Sequence, residues 1–411
     1  MVTFGSHSID IRTADKSAAW RAPSQPPPLS LYVHFPWCAR KCPYCDFNSH
    51  AQADGELEAA QLRSRYLQAL REDLESALPA VWGRTVRSVF IGGGTPSLMT
   101  GEEVDGLLCD IRALLPLAPD CEITLEANPG TMEAQRFRDF RAAGVNRLSL
   151  GIQSFDDDQL TRLGRIHDGR QAVRAAEQAG QHFERFNLDL MWALPGQTVD
   201  QALEDLQRAL ELTPPHLSLY QLTIEPNTVF AKFPPPLPDE DLAFEMQQRL
   251  QERASRAGFG HYEVSAYAQP GQTCVHNLNY WTFGDYLGIG AGAHSKLTGA
   301  DGVVRQERFS RPESYLNAAG ARRFISREHR VPASELPFEF MLNALRLTEG
   351  VPAALFAERT GLGLSAISRP LDAAEARGLI EADPTRIRAT PLGLRFLSDL
   401  QSLFLPEPVT P

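Results

Sequence analysis

The chain has 411 residues, 43% of them hydrophobic, and a formal net charge of −11. This length accommodates one large domain with one or two small ones, and the apolar fraction is ample for a core. The negative charge gives no general attraction to nucleic acid or to an anionic membrane. Six cysteines, three of them clustered, do not make a secreted disulfide framework, which points to a reducing cytoplasm, and no apolar stretch reaches transmembrane length.

Residues 1–29 are polar and then proline-rich (Pro23, Pro26, Pro27, Pro28), with no apolar signal core, and read as a disordered leader. The run Leu31–Phe35 reads as a buried strand. It feeds a loop carrying Cys38, Cys42 and Cys45 in the spacing C-x3-C-x2-C, at a strand's C-terminal end, where α/β folds place their chemistry. Three thiols on one loop without a second CxxC suit a 4Fe–4S cluster with one open iron. A zinc loop with a distant fourth ligand and three incidental thiols remain the alternatives. Apolar residues at helical spacing then run from Glu56 to Leu78. Strands are expected at Ser88–Ile91, Cys121–Leu125, Arg147–Ile152, Phe186–Met191 and Leu217–Thr223, separated by helical patterns such as Met132–Ala143, Arg170–Ala179 and Val199–Leu212. This alternation predicts an α/β fold, a partial (β/α)6 barrel over residues 30–232 with every strand's C-terminal end on one face.

Residues 233–238, with four prolines, read as a rigid linker opening a segment, 233–330, that completes the barrel's open side. It comprises a helix at Leu242–Ala257, extended segments at Tyr262–Tyr267 and Asp285–Gly290, and a hairpin at Thr298–Arg308 with its tip at Ala300, Asp301 and Gly302. Residues 331–411 read as a small, mainly helical, winged-helix-like domain. Its helices are Leu336–Arg346, Ala353–Thr360 and Ser365–Arg377, with a further one from Leu392, and Leu379–Glu381 and Ile387–Ala389 flank a turn. Over residues 351–400, six arginines balance six acidic residues, a poor electrostatic footprint for DNA, so no nucleic-acid partner is expected.

Polar residues gather at the strand ends. Gly92, Gly93 and Gly94 lack dinucleotide or P-loop spacing, and read as a tight exit or as a close backbone approach to a ligand. Glu126 and Gln153 each end an apolar strand, Arg165 can hold a carboxylate bidentately, and Asp189 is a carboxylate inside an apolar run. Each taken alone is a satisfied structural polar group as readily as a ligand.

The cysteine spacing, with Tyr44 between the last two, resembles the signature of the radical S-adenosylmethionine (SAM) superfamily. The resemblance implies a 4Fe–4S cluster on Cys38, Cys42 and Cys45 whose open iron binds SAM. It narrows to the coproporphyrinogen III oxidase-like branch on YVHFPWC, IGGGTPS, LEANPG, RLSLGIQSF, NLDLMWALPGQT, LSLYQLTIEP and LGIGAGAHS. Carried over position by position, it implies SAM contacts at Tyr32, Tyr44, Gly94, Thr95, Glu126, Gln153, Arg165, Asp189, Thr223 and His294.

Two features separate the chain from the oxidising enzyme. Phe47 stands where the enzyme has a further cysteine, and the barrel begins without the enzyme's longer N-terminal region. Residues 276–281, HNLNYW, resemble the marker of the heme chaperone subfamily, the HemW proteins. The resemblance implies a protein that binds heme beside the cluster and SAM and hands it to heme-accepting proteins, respiratory or membrane-associated ones among them. It further implies a cytoplasmic or peripheral location, an electron donor if the cluster is reduced, and leaves open a homodimer. His276 and Cys274 are rival axial ligands, with Tyr280 and Trp281 as stacking groups; His276 and Trp281 read equally as structural. The alternatives in function are an oxygen-independent coproporphyrinogen III oxidase, another radical SAM enzyme acting on a tetrapyrrole, and, more distantly, a regulator built on the C-terminal domain.

Overall fold

The computed structural model describes residues 20–52, 55–130 and 133–406. Its frame is a sheet of twelve strands: β1 Leu29–Phe35, β2 Val86–Gly93, β3 Leu117–Ala127, β4 Arg147–Gln153, β5 Arg185–Trp192, β6 His216–Gln221, β7 Gly260–Glu263, β8 Ala266–Ala268, β9 Asp285–Ile289, β10 His294–Gly299, β11 Gly302–Arg308 and β12 Ile325–Arg330. Strands β1 to β6 lie side by side in chain order and parallel, and β9 joins them parallel to β1 from the other side. The helices expected between them form α1 Glu56–Val81, α2 Gly101–Leu114, α3 Glu133–Ala143, α4 Gly169–His182 and α5 Val199–Glu211, and α6 follows at Glu240–Arg256.

Local chemistry explains where these helices start. Thr100, Asp168 and Thr198 each accept from the backbone N–H three residues on, and Glu103, Gln171 and Gln201 return the bond as capping boxes. The sheet's helix-facing side is apolar, for instance Leu31, Val33, Val89, Leu125, Leu148 and Leu188, all fully buried. The opposite side, the barrel interior, is polar. There the Ser30 and Ser88 hydroxyls meet at 2.7 Å, and Asn187 donates to the Ser149 hydroxyl (2.9 Å) while accepting from Ser218 (3.1 Å). Buried polar groups persist only when paired, so this rung of neighbouring side chains satisfies itself across the strands.

Two expectations need correction. The leader does not extend to residue 29: residues 1–19 lie outside the described residues, but Trp20 packs into the C-terminal core, the Arg21 N–H donates to Gly361 (3.0 Å), and Leu29 opens β1. Prolines there fix the backbone while Arg84 and the Asp285 N–H bond the Pro27 and Pro28 carbonyls. Tyr262–Tyr267 is not one strand but the antiparallel pair β7 and β8, which extends the sheet past β6. The 233–330 segment lengthens both flanks of the sheet, β7–β8 beyond β6 and β9–β12 beyond β1. Strand β12, fully exposed and charged (ISREHR), lacks the apolar alternation that would mark it. The hairpin expected at 298–308 forms, with Gly299 opposite Gly302.

The C-terminal unit packs helices Leu336–Ala344, Ala354–Thr360 and Ser368–Ala376 around Phe340, Phe356 and Ile367, with strands Val351–Pro352 and Arg386–Ile387 paired and a bridge from Ile380 to Ala389. The HNLNYW string forms α7, Val275–Trp281, packed on β1, β2 and β9. It is seated between two cores. His276 faces the barrel interior, while Leu278 and Trp281 pack against the C-terminal cluster.

Candidate functional site

The cysteine loop leaves β1 at the barrel rim and is pinned from several sides. The Asn48 amide donates to the carbonyls of Ala291 (2.9 Å) and Ser310 (2.8 Å), the Arg40 guanidinium donates to those of Gly164 and Arg165, and the Phe230 N–H donates to Pro43. Cys38, Cys42 and Cys45 are all free and half-buried. They face a cavity of about 500 Å³ that enters the barrel from the strands' C-terminal ends.

Eight of the ten residues expected to touch SAM line that cavity: Tyr44, Gly94, Thr95, Glu126, Gln153, Arg165, Asp189 and Thr223. Tyr32 stands just behind the wall, its ring stacked on the lining residue Phe90 at 6.3 Å and its hydroxyl 3.0 Å from His34 Nδ1. His294 is exposed at the start of β10 and does not line it. The reason is topological: β10 lies beyond β9, on the flank away from β2 to β6.

The wall is electrostatically uneven. Glu126 accepts from the Gly93 N–H (3.0 Å) and, among the described residues, meets no cation at ion-pair distance. Burial, with Asp189 adding to it, pushes its carboxyl up to about 8. Asp189 is likewise raised by burial, against bonds from Ser149 (3.1 Å) and Asn187 (2.7 Å). Arg165 donates to Asn128 Oδ1 (2.6 Å) and the Gly151 carbonyl (2.8 Å), and its Nη1 lies 3.6 Å from Cys42 Sγ. Its Nε is buried without an acceptor. Gln153 has φ of 71°, a left-handed conformation unfavourable for a non-glycine residue, where the β4–β5 register shifts. The strain turns its side chain into the cavity.

Among the lining residues that sequence reasoning missed are Asn128, Arg147, Tyr220 and Asn277. Asn128 was within reach, two positions after Glu126 in LEANPG; it couples Thr95 (3.0 Å) to Arg165. Arg147 and Tyr220 are set by strand alternation, which points them inward. Asn277 reaches the cavity only because α7 forms its floor.

The heme candidates stay together, but in the interior. His276 is 2% exposed; Ser88 Oγ lies 2.9 Å from its Nδ1 and Tyr280 Oη 3.1 Å from its Nε2, so both ring nitrogens are engaged. Burial, with Arg147 nearby, lowers it to about 3, which keeps it neutral. Cys274 is fully buried against Glu122 (3.5 Å), and burial pushes its thiol up to about 12. Glu122 in turn accepts from the His276 N–H (3.1 Å) and pairs with Arg185 (2.9 Å). Trp281 lies under the Arg346 guanidinium at 4.3 Å.

Comparison with known families matches residues 32–209 to the Radical SAM superfamily and residues 331–396 to the HemN C-terminal domain. "Heme chaperone HemW" of Escherichia coli (strain K12) is 49% identical over 93% of this chain and 99% of that protein. The protein of the same name from Haemophilus influenzae is 47% identical over 93% of this chain and 99% of its own. Among solved structures, coproporphyrinogen III oxidase (HemN) from Escherichia coli superposes with a TM-score of 0.78 at 22% identity, covering 92% of this chain and 90% of that one. At that identity the likeness carries the fold alone. The chain belongs to the HemW family, within the radical SAM superfamily.

Proposed function

We propose that this chain binds heme and passes it to acceptor proteins, and that it holds a 4Fe–4S cluster on Cys38, Cys42 and Cys45 with SAM in the adjoining cavity. The donor set fits these groups. Among the described residues no three His, Cys, Asp or Glu side chains converge as ligands of a single ion would. Thiols on a cubane cluster each bind a different iron and need not converge, so the loop suits a cluster better than zinc. When bound, the cluster supplies an open iron and an electron, and SAM supplies a reactive sulfonium.

The chain's own residues then have separable tasks. Arg165 offers an unaccepted Nε–H to a carboxylate. Glu126, with no ion-pair partner among the described residues, supplies the counter-charge for a positively charged ligand and holds a proton until one arrives. Gln153 presents an amide to hydroxyls, and the Asp189 carboxylate is oriented by Ser149 and Asn187. Gly94 keeps the loop tight: a Cβ there would stand 2.5 Å from the Trp37 carbonyl oxygen.

The observation that carries the reading is the convergence on one cavity of the three cysteines and eight of the residues the resemblance implied. Phe47 and HNLNYW, with relatives named as heme chaperones, favour heme transfer over propionate oxidation. The test is anaerobic. The reconstituted protein is titrated with heme, mixed with an apo-hemoprotein, and assayed in parallel with coproporphyrinogen III. Heme retention and delivery without decarboxylation is expected. Decarboxylation without heme retention would make the chain an oxidase.

A further inference from the structure

We infer that heme is seated on the outer rim of the cysteine loop rather than on the HNLNYW helix; this rests on the heme-binding reading above. Three segments meet at that rim. Residues 40–47 contact 162–166 through Arg40 and the Gly164 carbonyl, and contact 228–233 through the Pro43 carbonyl and the Phe230 N–H. Each segment exposes a large apolar side chain: Phe47 at 58%, Ile166 at 60%, Val229 at 58% and Phe233 at 66%. Single exposed apolar residues are ordinary, but four on three segments tied together beside the cavity mouth offer apolar surface to an occupant. Phe47 carries particular weight, because this aromatic ring stands where the oxidising branch has a cysteine.

Charge selects the occupant. The same segments expose four cations, Arg40, Lys41, Arg162 and Lys232, against one acid, Asp46; four minus one is +3, on a chain of net −11. Glu225 lies outside these segments and accepts from the Thr223 hydroxyl (2.7 Å); it lines the cavity, as do Arg40, Asp46 and Phe47 at the mouth. Heme is a flat apolar ring with two carboxylates on one edge, so an apolar floor with a cationic border complements both parts. The motif helix offers the opposite surroundings. Both His276 ring nitrogens are engaged and Cys274 is sealed against Glu122. A seat that holds the ring by apolar contact and carboxylate pairing, at the surface, also suits a ligand that must be handed on.

The full-length protein, with its cluster reconstituted anaerobically, is titrated with heme and followed by Soret absorption, alongside Phe47→Ser/Phe233→Ser and Lys232→Glu variants. Iron and sulfide contents report that the loop is intact. Losing two aromatic contacts is expected to weaken heme binding by about tenfold or more. Lys232→Glu should weaken it less, with reduced salt dependence. If the wild type binds heme and the variants bind it equally well, the seat is elsewhere while the heme-binding reading stands. If the wild type binds no heme, that reading fails and the seat with it. If heme affinity is unchanged but delivery to an apo-hemoprotein slows, the rim is the acceptor's docking face, and the heme seat is overturned.

Discussion

Glu126 gives the sharpest prediction for the cavity. Its carboxyl is pushed up to about 8 by burial, reinforced by Asp189, against the Gly93 N–H bond and the nearby charge of Arg147, which favour its charged form. A ligand that brings positive charge requires the carboxylate, so binding expels a proton below that value. The sign follows: affinity for SAM rises with pH through about 8 and levels off above it. If the bound-state value lies well below 6.5, the proton costs a factor of about 33 at pH 6.5 and about 1.3 at pH 8.5, so affinity rises by roughly 25-fold, or ~2 kcal/mol, between them. Glu126→Gln removes both the charge and the titration. It is expected to weaken binding at pH 8.5 by about tenfold to a hundredfold, the worth of a charge-assisted bond, and to flatten the profile. The assay is anaerobic equilibrium dialysis of SAM against cluster-loaded protein from pH 6.5 to 8.5. A flat wild-type profile, or the same slope in Glu126→Gln, would refute the assignment of this carboxylate to the ligand.

Other outcomes follow from the same geometry. In the proposed reading Cys38, Cys42 and Cys45 are the three cluster ligands, so replacing any of them with alanine should abolish the cluster, read as loss of bound iron and sulfide. His276→Ala opens a cavity at the barrel floor and takes one hydrogen-bond partner from each of Ser88, which keeps Ser30, and Tyr280; it should cost about 2–4 kcal/mol in denaturant unfolding. Heme affinity should survive in the folded fraction, and a selective loss of heme without loss of stability would instead make His276 a ligand. Lys296 is buried with its ammonium 3.0 Å from Asp285 and 4.0 Å from the Phe283 ring centroid. Lys296→Met strips one cation from that carboxylate and should destabilise by about 3 kcal/mol, with Arg84 limiting the loss.

Much of the frame was legible in the sequence because it is local. Parallel strands buried on the helix side read as apolar runs, and Thr or Asp before α2, α4, α5 and α6 marks their start. The cysteine spacing and the residues ending β3, β4 and β5 gave the cavity wall, since parallel strands must bring their C-terminal ends to one face. The sequence was silent where pairing partners are distant. Nothing in ISREHR marks an edge strand whose neighbour is β11, and nothing in Tyr262–Tyr267 shows that the chain folds back on itself between two short strands.

Residue chemistry by itself determined the ligand types: three thiols, a carboxylate for a cation, a guanidinium for an anion. Tertiary structure decided which of them share a space. It placed Asn128, Arg147 and Asn277 at the cavity and left His294 outside it. It also turned His276 from an isolated histidine into a buried neutral group joined to Ser88 and Tyr280. The physical reason is that availability depends on solvent and partners. A side chain's chemistry is written in its own residue, but whether an atom is free to bind is set by neighbours far away in sequence, here 188 positions away between Ser88 and His276.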